Sequence, residues 1–300
     1  MALYINPELP AARRLAEAGH MVCPADSCDH NPINIAIINL MPLKAETEYD
    51  FLQLMATETR AIRITLIETA SHRSRHTPKE HLDQFYTTFN RIAPESIDGI
   101  IITGAPLEGV RFEDVDYWDE ITGIFNTIRQ KNIPSLFICW AAFAAMYHWH
   151  HIDWKILPNK ISGVFAHKIL QNSCPLMDGV SDGFTIPHSR FATWDMAELM
   201  QDNGIRVIAA GETQGAYMIQ SLANEEFYIS GHGEYSPMTL DAEYRRDLGR
   251  GLKPHIPDNY YPGNDPSATP VDTWHETARR IMHNWINMAQ RHKQNKHEQK

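Results

Sequence analysis

Apolar runs short enough for strands alternate with amphipathic stretches through the first half of the chain. Ile33-Asn-Ile-Ala-Ile-Ile-Asn-Leu-Met41 predicts a buried strand, broken by Met41-Pro-Leu-Lys44. Glu46 to Ala56 follows, with Tyr49, Leu52 and Met55 spaced for one helical face. Ile62-Arg-Ile-Thr-Leu-Ile67 predicts a second strand, and Thr77-Pro-Lys-Glu80 a capped helix start with proline at the first helical position. Ile97-Asp-Gly-Ile-Ile-Ile-Thr-Gly-Ala-Pro106 predicts a third strand ending in a glycine turn. Asp116 to Lys131 carries Trp118, Ile121, Phe125 and Ile128 on an amphipathic helix, and Leu136 to Ile138 predicts a fourth strand. This alternation predicts an α/β fold, a mostly parallel sheet flanked by helices on both faces. Such sheets place their sites beyond the carboxyl ends of the strands, here Met41–Lys44, Thr103–Glu108 and Cys139.

After His151 the rhythm changes. β-like pieces at Ile161–Ile169, Phe184–Ile186, Ile205–Ala210, Ala216–Leu222 and Glu226–Ser230 predict added strands, with Asn224 turning the last two into a hairpin. A helix is expected from Thr239 to Leu248, an ordered proline-rich surface loop over 253–270, and a C-terminal helix from Val271 to Met288. Residues 1–30 read as an N-terminal extension with a short helix, and 290–300 as a polar, disordered tail. With no internal repeat and no low-complexity linker, one domain over 1–300 is expected.

The 27 Lys and Arg against 37 Asp and Glu give a net charge of −10, which argues against a nucleic-acid partner or a polybasic membrane surface. No apolar segment approaches the ~20 residues of a membrane span, and the amino terminus has no signal-peptide pattern. Four cysteines show no disulfide framework, which fits a reducing cytoplasm. Cys23, Cys28 and His30 match no common zinc-ligand spacing, so no metal is expected.

The strand-to-helix junction at Cys139 carries the sharper chemistry. Ala141, Ala142, Ala144 and Ala145 open a helical pattern directly after the cysteine, which is the shape of a nucleophile elbow with cysteine in place of serine. The helix's amino-terminal amides favour thiolate there. A free cysteine in an apolar stretch is otherwise an inert core residue. What raises Cys139 above that is Gly231-His232-Gly233-Glu234 at the end of another strong strand. One residue apart, His232 and Glu234 point to the same side of an extended segment, so the carboxylate can orient the imidazole. A Cys139–His232–Glu234 triad follows.

A cysteine elbow with a distant Gly-His-x-Glu resembles the class I glutamine amidotransferase superfamily. More closely, the chain resembles the homoserine O-acyltransferase family of methionine biosynthesis. The matching pieces are Asn39-Leu-Met-Pro-Leu-Lys44 with Glu46-Thr-Glu48, Thr103-Gly-Ala-Pro106, Val115-Asp-Tyr-Trp118, Cys139-Trp-Ala, Lys160-Ile-Ser-Gly-Val164, Pro187-His-Ser-Arg190, Gly231-His-x-Glu-Tyr235 and Asn264-Asp-Pro266. The resemblance implies ping-pong acyl transfer from an acyl-coenzyme A to the hydroxyl of L-homoserine, a first committed step of methionine biosynthesis. Cys139 is then nucleophile, His232 base and Glu234 its partner. Lys160, Ser189 and Arg246 match substrate-contacting positions, and Lys44 an active-site lysine. No bound cofactor is implied, acetyl-coenzyme A being a co-substrate, and a homodimer is one expected assembly.

Two departures stand out. Gly233 replaces the family's usual proline, with a looser base loop expected, and Phe143 stands where glutamine is common. In the resembling family, glycine at the position of Glu108 goes with succinyl-coenzyme A and glutamate with acetyl-coenzyme A, so acetyl is the expected donor. A succinyl carboxylate would meet the Glu108 charge, and acetyl would not. Succinyl transfer and, further off, a glutamine amidotransferase or cysteine hydrolase are the alternatives, because the triad by itself does not select the acyl acceptor.

Overall fold

A computed structural model describes residues 2–27, 31–72, 74 and 76–298. Cys28 and His30 lie outside these residues. In chain order the elements are β1 (Leu3–Tyr4), α1 (Pro10–Glu17), β2 (Val22–Cys23), β3 (Ile33–Ile38), α2 (Lys44–Met55), β4 (Ile62–Glu68), α3 (Lys79–Phe85), β5 (Tyr86–Thr88) and β6 (Gly99–Ile102). They continue with α4 (Trp118–Gln130), β7 (Ser135–Ile138), α5 (Trp140–His150), β8 (Lys155–Ile169), β9 (Thr185–Thr193), α6 (Met196–Gln201), β10 (Ile205–Gly211) and β11 (Gly215–Ser221). Last come β12 (Glu226–Ile229), α7 (Thr239–Gly249) and α8 (His275–Glu298).

The strands line up as β2-β1-β4-β3-β6-β7-β12-β11-β10-β8-β9, with β5 paired to β4. From β2 to β12 every pairing is parallel. From β12 to β9 every pairing is antiparallel. The expected mostly parallel α/β sheet is therefore present, with the later strands added as antiparallel hairpins at one side.

Alternation along the central strands sorts their side chains to two cores. Ile33, Ile35 and Ile37 of β3 join Leu136 and Ile138 of β7 on one face, under α1, α2 and α8. Ala36, Ile38 and Phe137 face the other way, against α4 and α5. Burial on both faces is why these strands read as nearly unbroken apolar runs. Helix α5 is buried all round from Trp140 to Met146, as a central helix must be.

Two boundaries depart from expectation. The described part of the expected N-terminal extension, residues 2–27, is built into the fold: Leu3 and Tyr4 pair with Ile62 and Arg63, so β1 extends the sheet. The C-terminal helix does not end before a disordered tail but runs to Glu298. Lys293 and Lys296 lie 3.4 and 3.2 Å from the buried Asp98 carboxylate, which ties this polar stretch to the start of β6. Among the described residues no helix is long and apolar enough to cross a membrane.

Candidate active site

Strands β7 and β12 are parallel neighbours, with Ile138 opposite Ile229. The chain leaves both at the same edge of the sheet, so Cys139 and His232 emerge side by side although 93 positions apart in sequence. The Cys139 amide still donates to the Ile229 carbonyl at 2.7 Å. At φ 49° and ψ −114°, Cys139 occupies a strained left-handed conformation at the amino-terminal cap of α5. A non-glycine residue pays for such backbone, and strain of this kind concentrates at functional turns. Gly104 makes room opposite: a Cβ there would lie 3.2 Å from the Cys139 Cβ and 3.8 Å from Sγ. The elbow inferred from the sequence is present in its full geometry.

His232 and Glu234 are both buried, and His232 Nδ1 lies 2.7 Å from Glu234 Oε1. Burial by itself would lower the imidazole pKa. The charges of Glu234 and Cys139 and hydrogen bonds to both outweigh it and raise the pKa well above the usual value. The ring stacks on Tyr235, centroids 4.2 Å apart and planes 15° apart. The His232 amide donates to the Pro187 carbonyl, and Trp274 Nε1 donates to the Tyr235 carbonyl. Gly233 sits where a Cβ would come within 3.1 Å of Ala278 Cβ on α8. Its departure from proline thus coincides with close packing of the base loop on the C-terminal helix. Phe143 packs against Trp194, ring centroids 4.2 Å apart, so its side chain makes an aromatic rather than a polar contact behind the elbow.

On the β8–β9 side of the triad, Glu243 of α7 gathers several groups. Lys160 Nζ donates to Glu243 Oε2 at 2.8 Å, Ser189 Oγ donates to the same oxygen, and Tyr235 Oη donates to Oε1 at 3.2 Å. Burial raises the Glu243 pKa, but Lys160, Ser189 and the His232 charge more than offset it, and the carboxyl is held below the usual range. Lys160 and Ser189, expected from sequence, thus meet on a carboxylate that sequence reasoning missed. The available signal was its place three residues before Arg246 on one helix, which puts both on one face. Arg246 itself is half-exposed and donates to Asp247 at 2.8 Å, within electrostatic range of Glu243.

Lys44 lies on the other side, at the start of α2. Its ammonium is buried and donates to the Asn39 carbonyl. Desolvation lowers its pKa to about 8 despite the raising charges of Glu68 and Glu48. Glu108 sits half-buried on the turn after β6. A second group missed from the sequence is Arg190, fully buried on β9 and donating to the Ala192 and Gln214 carbonyls and to His188 Nδ1. Burial lowers its pKa to about 10, while the charges of Cys139 and Glu108 pull the other way. The charges of Cys139 and Glu108 therefore act on one buried guanidinium.

The profile of the homoserine O-succinyltransferase family matches residues 2–295. A homoserine O-acetyltransferase of Desulfovibrio desulfuricans is 42% identical over 290 residues, covering 96% of this chain and 92% of the relative. A homoserine O-succinyltransferase of Shewanella piezotolerans is 39% identical over the same shares of both chains. Among solved structures, a glutamine amidotransferase from Thermotoga maritima superposes with a TM-score of 0.58 at 10% identity, covering 87% of this chain and 99% of that one. A glutamine amidotransferase from Methylobacillus flagellatus gives 0.54 at 11% identity, over 86% and 94%. The sheet and its flanking helices are thus a class I glutamine amidotransferase-like fold.

Proposed function

The chain belongs to the homoserine O-succinyltransferase family, and from that premise we propose that it acetylates the hydroxyl of L-homoserine from acetyl-coenzyme A through a thioester on Cys139. The observation that carries the covalent route is the strained Cys139 beside a buried His232–Glu234 pair on the next parallel strand.

In the first half-reaction the Cys139 sulfur attacks the thioester carbonyl of the donor. A new C–S bond forms on Cys139, the bond to coenzyme A breaks, and the departing sulfur takes a proton from the His232 ring. Exchanging one thioester for another changes little in bond energy. The first amides of α5 lack intrahelical partners by helix geometry, and they face the carbonyl oxygen as it gains charge. In the second half-reaction His232 takes the hydroxyl proton of homoserine, the alkoxide oxygen attacks the acyl carbon, and Cys139 leaves as thiolate. Glu234 holds the ring with Nε2 free for both transfers.

Homoserine carries an ammonium and a carboxylate besides its hydroxyl. Glu243, kept ionised by Lys160 and Ser189, suits the ammonium. Arg246 at the rim suits the carboxylate as a planar fork. For the donor, relatives of both names exist, so the assignment rests on Glu108. Its charge already acts on Arg190, and a succinyl carboxylate entering beside it would bring a second negative charge to the same neighbourhood. Acetyl brings none. Free Cys23, Cys139 and Cys174 suit a reducing compartment such as the cytoplasm.

The test is intact mass after mixing with acetyl- or succinyl-coenzyme A in the absence of homoserine. An acetyl adduct that disappears when homoserine is added supports both the covalent route and the donor. An adduct formed only with succinyl-coenzyme A would reverse the donor. An adduct that forms with neither, alongside hydrolysis of glutamine, would favour the amidotransferase alternative.

A further inference from the structure

The acceptor-side groups, Lys160, Ser189, Glu243 and Arg246, lie on β8, β9 and α7. The sheet order places those elements on the β12 side of Cys139. On the opposite side, beyond the carboxyl ends of β3, β4 and β6, is a cavity of about 540 Å³. Two consecutive residues connect its wall to Cys139. Gly104 packs against Cys139, and Ala105 lines the cavity wall. The Leu40 amide donates to Thr103 Oγ1 at 2.8 Å, which ties the β3 and β6 loops together at its floor.

We propose that this cavity holds the pantetheine arm of the coenzyme A thioester, with the nucleotide outside its mouth. The proposal rests on the acyltransferase reading and deepens it. A ping-pong enzyme must present two different substrates to one sulfur, and the two sides of the elbow offer two different environments. The acceptor side presents the charged Lys160, Glu243 and Arg246 beside the Ser189 hydroxyl. The cavity wall has an apolar stretch from Leu40, Met41, Leu107 and Val110, interrupted by the polar Asn39 and Thr69 and the charged Lys44 and Glu68. That matches an uncharged chain with two amides, a gem-dimethyl group and a hydroxyl. Its volume falls within the ~300–1,000 Å³ of small-molecule sites.

Charge at the mouth sets the direction of entry. Asp114 and Asp116 are exposed there. His72 Nδ1 lies 2.6 Å from Asp116, so one basic group at the rim is already engaged by a carboxylate. A diphosphate drawn into the cavity would meet these carboxylates, which His76 on the same lining offsets only in part. Deep in the wall, Lys44 is the buried donor nearest in sequence to the Met41–Pro42 rim, and its ammonium has capacity beyond the Asn39 carbonyl for an amide oxygen of the arm.

The experiment narrows the cavity from two walls with Val110→Trp and Met41→Trp, both at positions that are not fully buried. Binding of desulfo-coenzyme A, which cannot react, is measured by calorimetry in each variant alongside steady-state kinetics. The expected result is a Kd weakened by about tenfold or more in both variants, with a matching rise in KM for acetyl-coenzyme A. The KM for homoserine stays within about twofold, and the truncated donor S-acetyl-N-acetylcysteamine suffers a smaller penalty than acetyl-coenzyme A. Unchanged desulfo-coenzyme A affinity in both folded variants would overturn the proposal, as would equal penalties on the full and truncated donors. Loss of desulfo-coenzyme A binding in the variants of a protein that never acylates homoserine would leave the cavity assignment standing and sink the acceptor reading alone.

Discussion

Replacing Glu108 with glycine tests the charge proposed to set the donor. Glu108 is half-buried on the turn after β6, and its charge acts, with that of Cys139, on the buried Arg190. A succinyl carboxylate about 4 Å from the Glu108 carboxylate costs roughly 4 kcal/mol at an effective dielectric near 20. Solvent at the half-buried turn and the Arg190 charge both reduce that figure. A penalty of about 1.4–2.7 kcal/mol is the working expectation, or roughly 10- to 100-fold in kcat/KM. Glu108→Gly removes the repulsion and opens volume for the longer chain, and it leaves Arg190 with one anionic neighbour fewer. The succinyl carboxylate can take the vacated place. The assay is kcat/KM for acetyl- and succinyl-coenzyme A at saturating homoserine, in the wild type, Glu108→Gly and Glu108→Gln. The ratio should move toward succinyl by about 10- to 100-fold in the glycine variant. Glutamine keeps the size and removes the charge. A ratio like that of glycine assigns the effect to charge, and one like the wild type assigns it to volume. A wild-type preference for succinyl-coenzyme A would refute the donor assignment. An unchanged ratio in Glu108→Gly would refute Glu108 as its cause.

Cys139→Ala should form no acyl-enzyme and show no turnover while keeping the wild-type circular dichroism; double-reciprocal plots of the wild type should be parallel, and intersecting lines would point to direct attack by homoserine. His232→Ala should lose about 10²–10⁴-fold in acyl release to homoserine, read by rapid-quench single turnover, and near-normal release would move the base elsewhere. Asp50 is buried against Ser236, and desolvation together with the Glu234 charge raises its pKa to about 7, against the lowering hydrogen bonds from Ser236. The folded state therefore holds the Asp50 proton more tightly than the unfolded state. Its contribution to stability is complete below about pH 4 and is lost as pH rises to about 7, an effect of up to about 4 kcal/mol. Asp50→Asn should remove that loss, so its stability advantage in urea unfolding should grow from pH 4 to pH 7 and then level off. An advantage independent of pH would contradict the assignment.

Much of the site was legible because it is local in sequence. The elbow at Cys139 is encoded in a few apolar residues followed by small ones, and His232 and Glu234 stand one residue apart at a strand end. The alternating strands and helices from Ile33 to Met146 follow from periodicities that each element carries by itself. The resemblance to the acyltransferase family added what spacing does not give, namely the identity of the acceptor and the expectation placed on Glu108.

The rest was decided by contacts between distant segments. Strands β1 and β2 have two residues each, too few for a period to register; β1 forms on the parallel edge of β4, and β2 on that of β1. The end of α8 reads as a charged tail until Asp98, nearly 200 positions earlier, is seen between Lys293 and Lys296. Glu243 looks like an ordinary helical carboxylate until β8 and β9 bring Lys160 and Ser189 against it. Arg190 would pass for a surface charge in any strand, yet three acceptors from its own strand and the β10–β11 turn bury it completely. Periodicity reports which face of an element is apolar. The pKa and partner of a charged side chain depend on what the fold packs beside it, and only the tertiary structure supplies that.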